Sequence, residues 1–202
     1  MIRLAGAIRH TIDLLMDVDV PEDEILAAAE AAEAFNARLA ARPRGRALLG
    51  YAETATAGDP RAFFDSSPLL GAANPVAVPL KLAVVGDGVE GTAVFGLAYE
   101  GPPGHVHGGF VAAAFDEVLG MVQSLTGAPG MTGTLTVRYR RPTPLHREVR
   151  FAGRVDRVEG RKIYTQGTLH AGEDLCAEAE GIFISVPFER FSRLAGREQG
   201  PP

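Results

Sequence analysis

The stretch GPPGHVHGGFVAAAFDEVLGMVQSL, residues 101–125, constrains this chain more than any other. It opens on a Gly/Pro turn, passes through His107-Gly108-Gly109 and continues as an apolar run from Phe110 to Leu125. Residues apolar nearly all the way round predict a helix that is buried, not laid on a surface. Yet the run keeps two adjacent acids, Asp116 and Glu117, and starts on two glycines. Val111, Phe115, Val118, Leu119 and Val122 make the obvious core stripe. Asp116 shares a different face with Ala112, Ala113, Gly120 and Gln123, where space for water or a substrate is expected.

The remainder reads as what surrounds this helix. Leu4, Ile8, Ile12, Leu15 and Met16 recur at helical spacing. Pro21-Glu22-Asp23-Glu24 is a helix start, and the Ala-rich run to about Arg42 continues it. Residues 1–41 hold eight acids against three arginines, a net of -5. This acidic arm reads as a solvated face or a packing element. Residues 43–76 are Gly/Pro-rich, with apolar anchors Phe63, Phe64, Leu69 and Leu70, and read as a connector over the domain. From Val76 the pattern turns to strands: two before the helix, joined at Gly86-Asp87-Gly88, and four after it, with turns at Gly160 and Gly172. Consecutive strands on tight turns predict an antiparallel meander curled around the helix. The side of the helix left open calls for a partner subunit. The organisation expected is a helical arm and connector over 1–73, a domain over 74–187 and a tail over 188–202.

Several classes are disfavoured. A net charge of -5 does not point to nucleic acid. No run reaches the length of a membrane span. The amino terminus lacks an unbroken apolar core, so a cytoplasmic protein is expected. Cys176 is the single cysteine, expected to be a buried inert thiol, and His105 and His107 have no ligand partners at metal spacing. Neither a metal nor a cofactor is expected.

Three features could carry chemistry. Gly108-Gly109 at a helix start offers free amides and the positive dipole end to a developing oxyanion, or merely permits a tight turn. Asp116 is a base or a structural ion-pair member, and Glu117 an ordinary solvated or salt-bridged acid. Residues 138–162 carry nine basic residues against three acids, a net of +6. That surplus fits an anionic ligand, or a solvated sheet face supplying partners to the acidic arm.

HGGFVAAAFDE, followed by GMTGTLTVRYRRPTPL and then GRK, resembles the hotdog-fold acyl-CoA thioesterases, over roughly residues 74–187. The closest group is that of the phenylacetate-pathway and mitochondrial long-chain enzymes. The resemblance implies an α+β hotdog fold: one long central helix wrapped by a curled antiparallel sheet, here with an N-terminal helical extension. It implies a homodimer or dimer of dimers hydrolysing an acyl-CoA, with coenzyme A present as part of the substrate. Gly108 falls on the family's oxyanion-hole glycine with Gly109 beside it, His107 on the His of HGG, Asp116 on the general base or nucleophile, and Thr132 on a water-orienting residue. In that family the acid and the threonine come from the subunit opposite the glycine. Arg140, Arg141, Arg161 and Lys162 would hold the CoA phosphates. Many relatives carry an Asn shortly before HGG; here residues 99–106 read YEGPPGHV, leaving His107, His105 or Asn74 to take its place. The alternatives are a non-catalytic acyl-CoA or lipid-binding module on the same fold, or a hydratase, for which no acid–histidine pair is evident.

Overall fold

The computed structural model describes residues 1–42, 67–78, 80–128 and 130–186. In chain order it contains α1 (Ile2–Leu14), α2 (Glu22–Ala40), β1 (Lys81–Val85), β2 (Gly88–Val94), a 3-10 turn (Leu97–Tyr99), α3 (Gly108–Ser124), β3 (Gly130–Tyr139), β4 (Glu148–Glu159), β5 (Lys162–Ala171) and β6 (Asp174–Ser185). The anchors Phe63 and Phe64 and the tail 188–202 lie outside the described residues. Pro21 stands at the start of α2, with Glu22, Asp23 and Glu24 in its first turn and Arg38 in its last, as the dipole favours.

Six strands form one antiparallel sheet in the order β1-β2-β4-β5-β6-β3. Gly86, Gly160 and Gly172, all at positive φ, close the β1–β2, β4–β5 and β5–β6 hairpins. In the first of these Val85 pairs with Gly88, so Gly86-Asp87 is the turn. The expected simple meander is corrected at β3. The link from β3 to β4, residues 140–147, carries Pro142 and Pro144 and is too long for a tight hairpin. β3 therefore pairs with the last strand, β6, and becomes the sheet's far edge, while β2 pairs with β4.

α3 lies across the curled sheet. Val111, Phe115, Val118, Leu119 and Val122 are each 1% exposed or less, as their spacing implied, and they pack with Phe151, Ile163, Leu169 and Phe183. The helix comes close because glycines line its track. A Cβ on Gly153 would lie 2.9 Å from Val122 Cγ2 and 3.0 Å from Val118 Cγ1. Gly153→Ala is expected to cost about 1–3 kcal/mol by overpacking, read as a lowered denaturant midpoint. Cys176 is buried and its thiol pKa is pushed up by that burial. Among the described residues no helix is long and apolar enough to cross a membrane.

Candidate active site

The first turn of α3 can be accounted for amide by amide. His107 is the N-cap, with extended backbone at φ -61° and ψ 132°. Its carbonyl accepts the N–H groups of Phe110 at 3.0 Å and Val111 at 3.4 Å. Its ring Nδ1 accepts the Gly109 N–H at 3.0 Å. Of the four amides a helix start leaves open, the Gly108 N–H alone has no partner among the described residues. The ring bond also sets the neutral tautomer: with Nδ1 accepting, the proton sits on Nε2. Both glycines lie close to a ring. A Cβ on Gly109 would lie 3.0 Å from the His107 ring, and one on Gly108 3.3 Å from the Tyr139 ring.

Tyr139, at the end of β3, donates its hydroxyl to the Gly108 carbonyl at 2.7 Å and fixes the helix start to the edge strand. Its partial burial pushes the phenol pKa up. No motif marks this tyrosine, because its bond to the helix depends on where β3 lies in the sheet.

Two turns along α3, Asp116 meets the other end of β3. Thr132 donates its hydroxyl to Asp116 Oδ1 at 2.8 Å. The register of β3 shifts between Thr132 and Thr134, and a bulge of this kind re-aims a side chain. Gln123 steadies the approach to it: it is 3% exposed and donates Nε2 to the Ala128 carbonyl at 2.6 Å. Structure thus brings Thr132 to Asp116, and His107 to Gly109, in two clusters.

Glu117 departs from the expectation of an ordinary acid. Burial, with the Asp116 charge adding to it, pushes its pKa up to about 7. A carboxyl whose folded pKa lies above its ordinary 4.5 binds its proton more tightly in the folded state. The stability it contributes is complete below that ordinary value and is lost as pH rises to about 7. Glu117→Gln is expected to flatten the stability profile across that window and to add about 2 kcal/mol at pH 8, measured by denaturant unfolding.

The four basic residues assigned to the CoA phosphates fall in two pairs within one chain. Arg140 pairs with Glu178 at 2.7 Å and Arg141 with Asp174, beside Tyr139. Arg161 donates Nε to the Ser185 carbonyl at 3.0 Å, and Lys162 makes no ion pair among the described residues. Registers place these two near Thr132, because Lys162 pairs with Ile184 and Ile184 with Met131. Acids of β6 therefore balance Arg138 on β3, which pairs with Glu180 at 2.6 Å, and Arg140 and Arg141 just after it; among the described residues no acid of the arm pairs with them. Asn74 builds a turn: its Oδ1 accepts the Val76 N–H at 3.0 Å. The His105 ring lies 2.9 Å from the Pro103 carbonyl. Among the described residues no group of three or more His, Cys, Asp or Glu could hold a metal.

The thioesterase superfamily model matches residues 103–178, from the turn before the Gly-Gly pair into β6. A crystal structure of a thioesterase superfamily protein superposes on 91% of this chain and 94% of its own, with a TM-score of 0.79 and 31% identity. The chain belongs to the thioesterase superfamily. Among curated relatives, acyl-coenzyme A thioesterase THEM4 of Xenopus laevis is 37% identical over 89 residues, 43% of this chain and 40% of that protein. The Bos taurus THEM4 is 36% identical over 95 residues, 46% and 39% of the two chains. The chain spans about two-fifths of the length of these curated relatives. A Streptococcus mutans structure bound to acetyl CoA shares the fold, at 17% identity and a TM-score of 0.50 over 53% of this chain and 88% of that one.

Proposed function

We propose that this protein is an acyl-CoA thioesterase whose active site is completed by a second copy of the chain. The observation that carries this is the separation of the two clusters. Gly108, whose amide has no partner among the described residues, and Asp116, with the threonine-held carboxylate, are eight residues apart on one helix. They are therefore about 12 Å apart along its axis. One carbonyl cannot lie within hydrogen-bond reach of the amide while the water attacking it touches the same copy's carboxylate.

The fold supplies a way to bring them together. β3 is an edge strand of ten residues whose single formal charge is Arg138, and Met131 and Tyr139 are 50% and 53% exposed. A long, nearly uncharged edge is a template for strand pairing. Two copies pairing antiparallel about a twofold place the Tyr139–Gly108 end of one β3 beside the Thr132–Asp116 end of the other. The same operation brings Arg140 and Arg141 of one copy towards Arg161 and Lys162 of the second, restoring one basic rim for the CoA phosphates.

In that composite site the thioester carbonyl oxygen takes the Gly108 N–H, with the His107 Nε2–H as a second donor in place of the missing Asn. Thr132 occupies Asp116 Oδ1 and leaves Oδ2 to take a proton from water. Water oxygen bonds to the acyl carbon, the C–S bond breaks, the CoA sulfur leaves with the electron pair, and the proton that Asp116 took from water passes to that sulfur. Products are the free acid and CoA. Membership of the superfamily and likeness to named acyl-CoA thioesterases support the reading. A panel of acyl-CoAs with thiol detection tests it: CoA release is expected. Acyl-CoA-dependent stabilisation without turnover at any chain length would overturn it in favour of a binding module.

A further inference from the structure

The acidic arm has a defined attachment, and it lies one step from the proposed oxyanion hole. Asp13, in the last turn of α1, accepts the N–H of Ala98 at 3.3 Å. That amide belongs to the opening of the 3-10 turn Leu97–Tyr99, where a short helix has no donor–acceptor pairing of its own to offer. The fit leaves no spare room: a Cβ on Gly96 would overlap the Asp13 carboxylate. One helical turn earlier, Arg9 donates Nη2 to the Asn74 carbonyl at 2.7 Å, so α1 is held at two points.

The 3-10 turn leads directly to the site through Tyr99. Its carbonyl accepts the His107 N–H at 2.8 Å. Its ring meets Phe110 edge-on at 5.0 Å, and Phe110 in turn meets the His107 ring at 6.2 Å. Its hydroxyl donates to the Ala77 carbonyl at 2.9 Å, and the residue is 7% exposed. Tyr99 therefore holds the main chain of His107 directly and its ring through Phe110, and His107 caps α3 and presents the Gly108 amide.

We propose that Asp13 is a positioning residue for the Gly108 half-site: it holds the 3-10 turn, the turn holds His107, and His107 aims the Gly108 N–H. The kinetic part of this inference rests on the thioesterase reading. The sequence separation is what makes the role specific. An acid 85 positions from its partner amide is a tertiary contact, not a local turn. It gives the arm a task that a solvated helix would not have.

Four variants test it. Asp13→Ala is expected to lower kcat about fivefold to tenfold with KM within about twofold, because misaimed donors weaken the transition state more than substrate binding. Asp13→Asn keeps a carbonyl oxygen for the Ala98 amide and is expected to retain most of the activity. Gly96→Ala pushes the same carboxylate away and is expected to reproduce the Asp13→Ala loss. In the double variant the added methyl meets no carboxylate, so the loss is expected to be no greater than in either single variant. A readout without turnover accompanies these: amide exchange at His107 and Gly109, faster in Asp13→Ala than in Asp13→Asn. Equal kcat in Asp13→Ala and Asp13→Asn, or a lowered Tm with kcat and amide exchange unchanged, overturns the proposal. A wild-type chain that releases no CoA sinks the thioesterase reading instead, and the exchange comparison alone then decides this one.

Discussion

Asp116→Asn is expected to lower kcat by about 10²- to 10⁴-fold, the range in which removal of a positioned general base falls. The substitution is conservative in shape. The Asn oxygen still accepts the Thr132 hydroxyl, which now bonds Asp116 Oδ1 at 2.8 Å. The half-buried position also loses a charge and no packing. Thermal stability is therefore expected to hold while turnover fails, with KM little changed, since the base acts on water in the transition state and not on bound substrate. Steady-state kinetics beside a thermal melt checks it. Turnover within a few-fold of wild type would remove Asp116 from the chemistry.

Gly108→Pro is expected to lower kcat by about 10²- to 10³-fold, the loss seen when one oxyanion donor is deleted. Proline suits this position unusually well. It is the first residue of α3, where proline's fixed φ is favoured and a missing N–H breaks no helix bond. His107 before it already has the extended backbone that a following proline demands. The change thus deletes the one helix-start amide without a partner among the described residues and little else. Gly108→Ala is the control. It keeps the N–H and adds the same crowding, a Cβ 3.3 Å from the Tyr139 ring. A small loss in the alanine variant and a large one in the proline variant assigns the effect to the amide. Equal losses assign it to crowding.

Much of this was legible in the residues. The core stripe Val111 to Val122 follows from helical periodicity, and the strands and their glycine turns from alternation and punctuation. The motif halves HGG and Asp at fixed spacing, with the basic strand end, carried the superfamily. What stayed hidden depended on long-range pairing. β3 was expected beside its neighbour in sequence, and only the pairing with β6 makes it an edge. Sequence order does not show that Arg140 and Arg161 lie near opposite ends of β3. Glu117 read as ordinary because burial, the main cause of its raised pKa, is a property of the assembled fold. The arm's role was invisible for the same reason: nothing near Asp13 in sequence points to an amide at Ala98.

The central claim is that amide and carboxylate of one site come from two chains. Co-expressed Asp116→Asn and Gly108→Pro subunits, separately tagged, test it most directly. Each parent alone is expected to be nearly inactive. Random pairing makes half the dimers mixed, and each mixed dimer rebuilds one of its two sites from an intact Gly108 on one chain and an intact Asp116 on the other. Activity is therefore expected to recover to about a quarter of wild type in the mixture, and to about half in the purified mixed dimer. A mixed dimer no more active than its parents would show that both groups act within one chain, and would contradict the account.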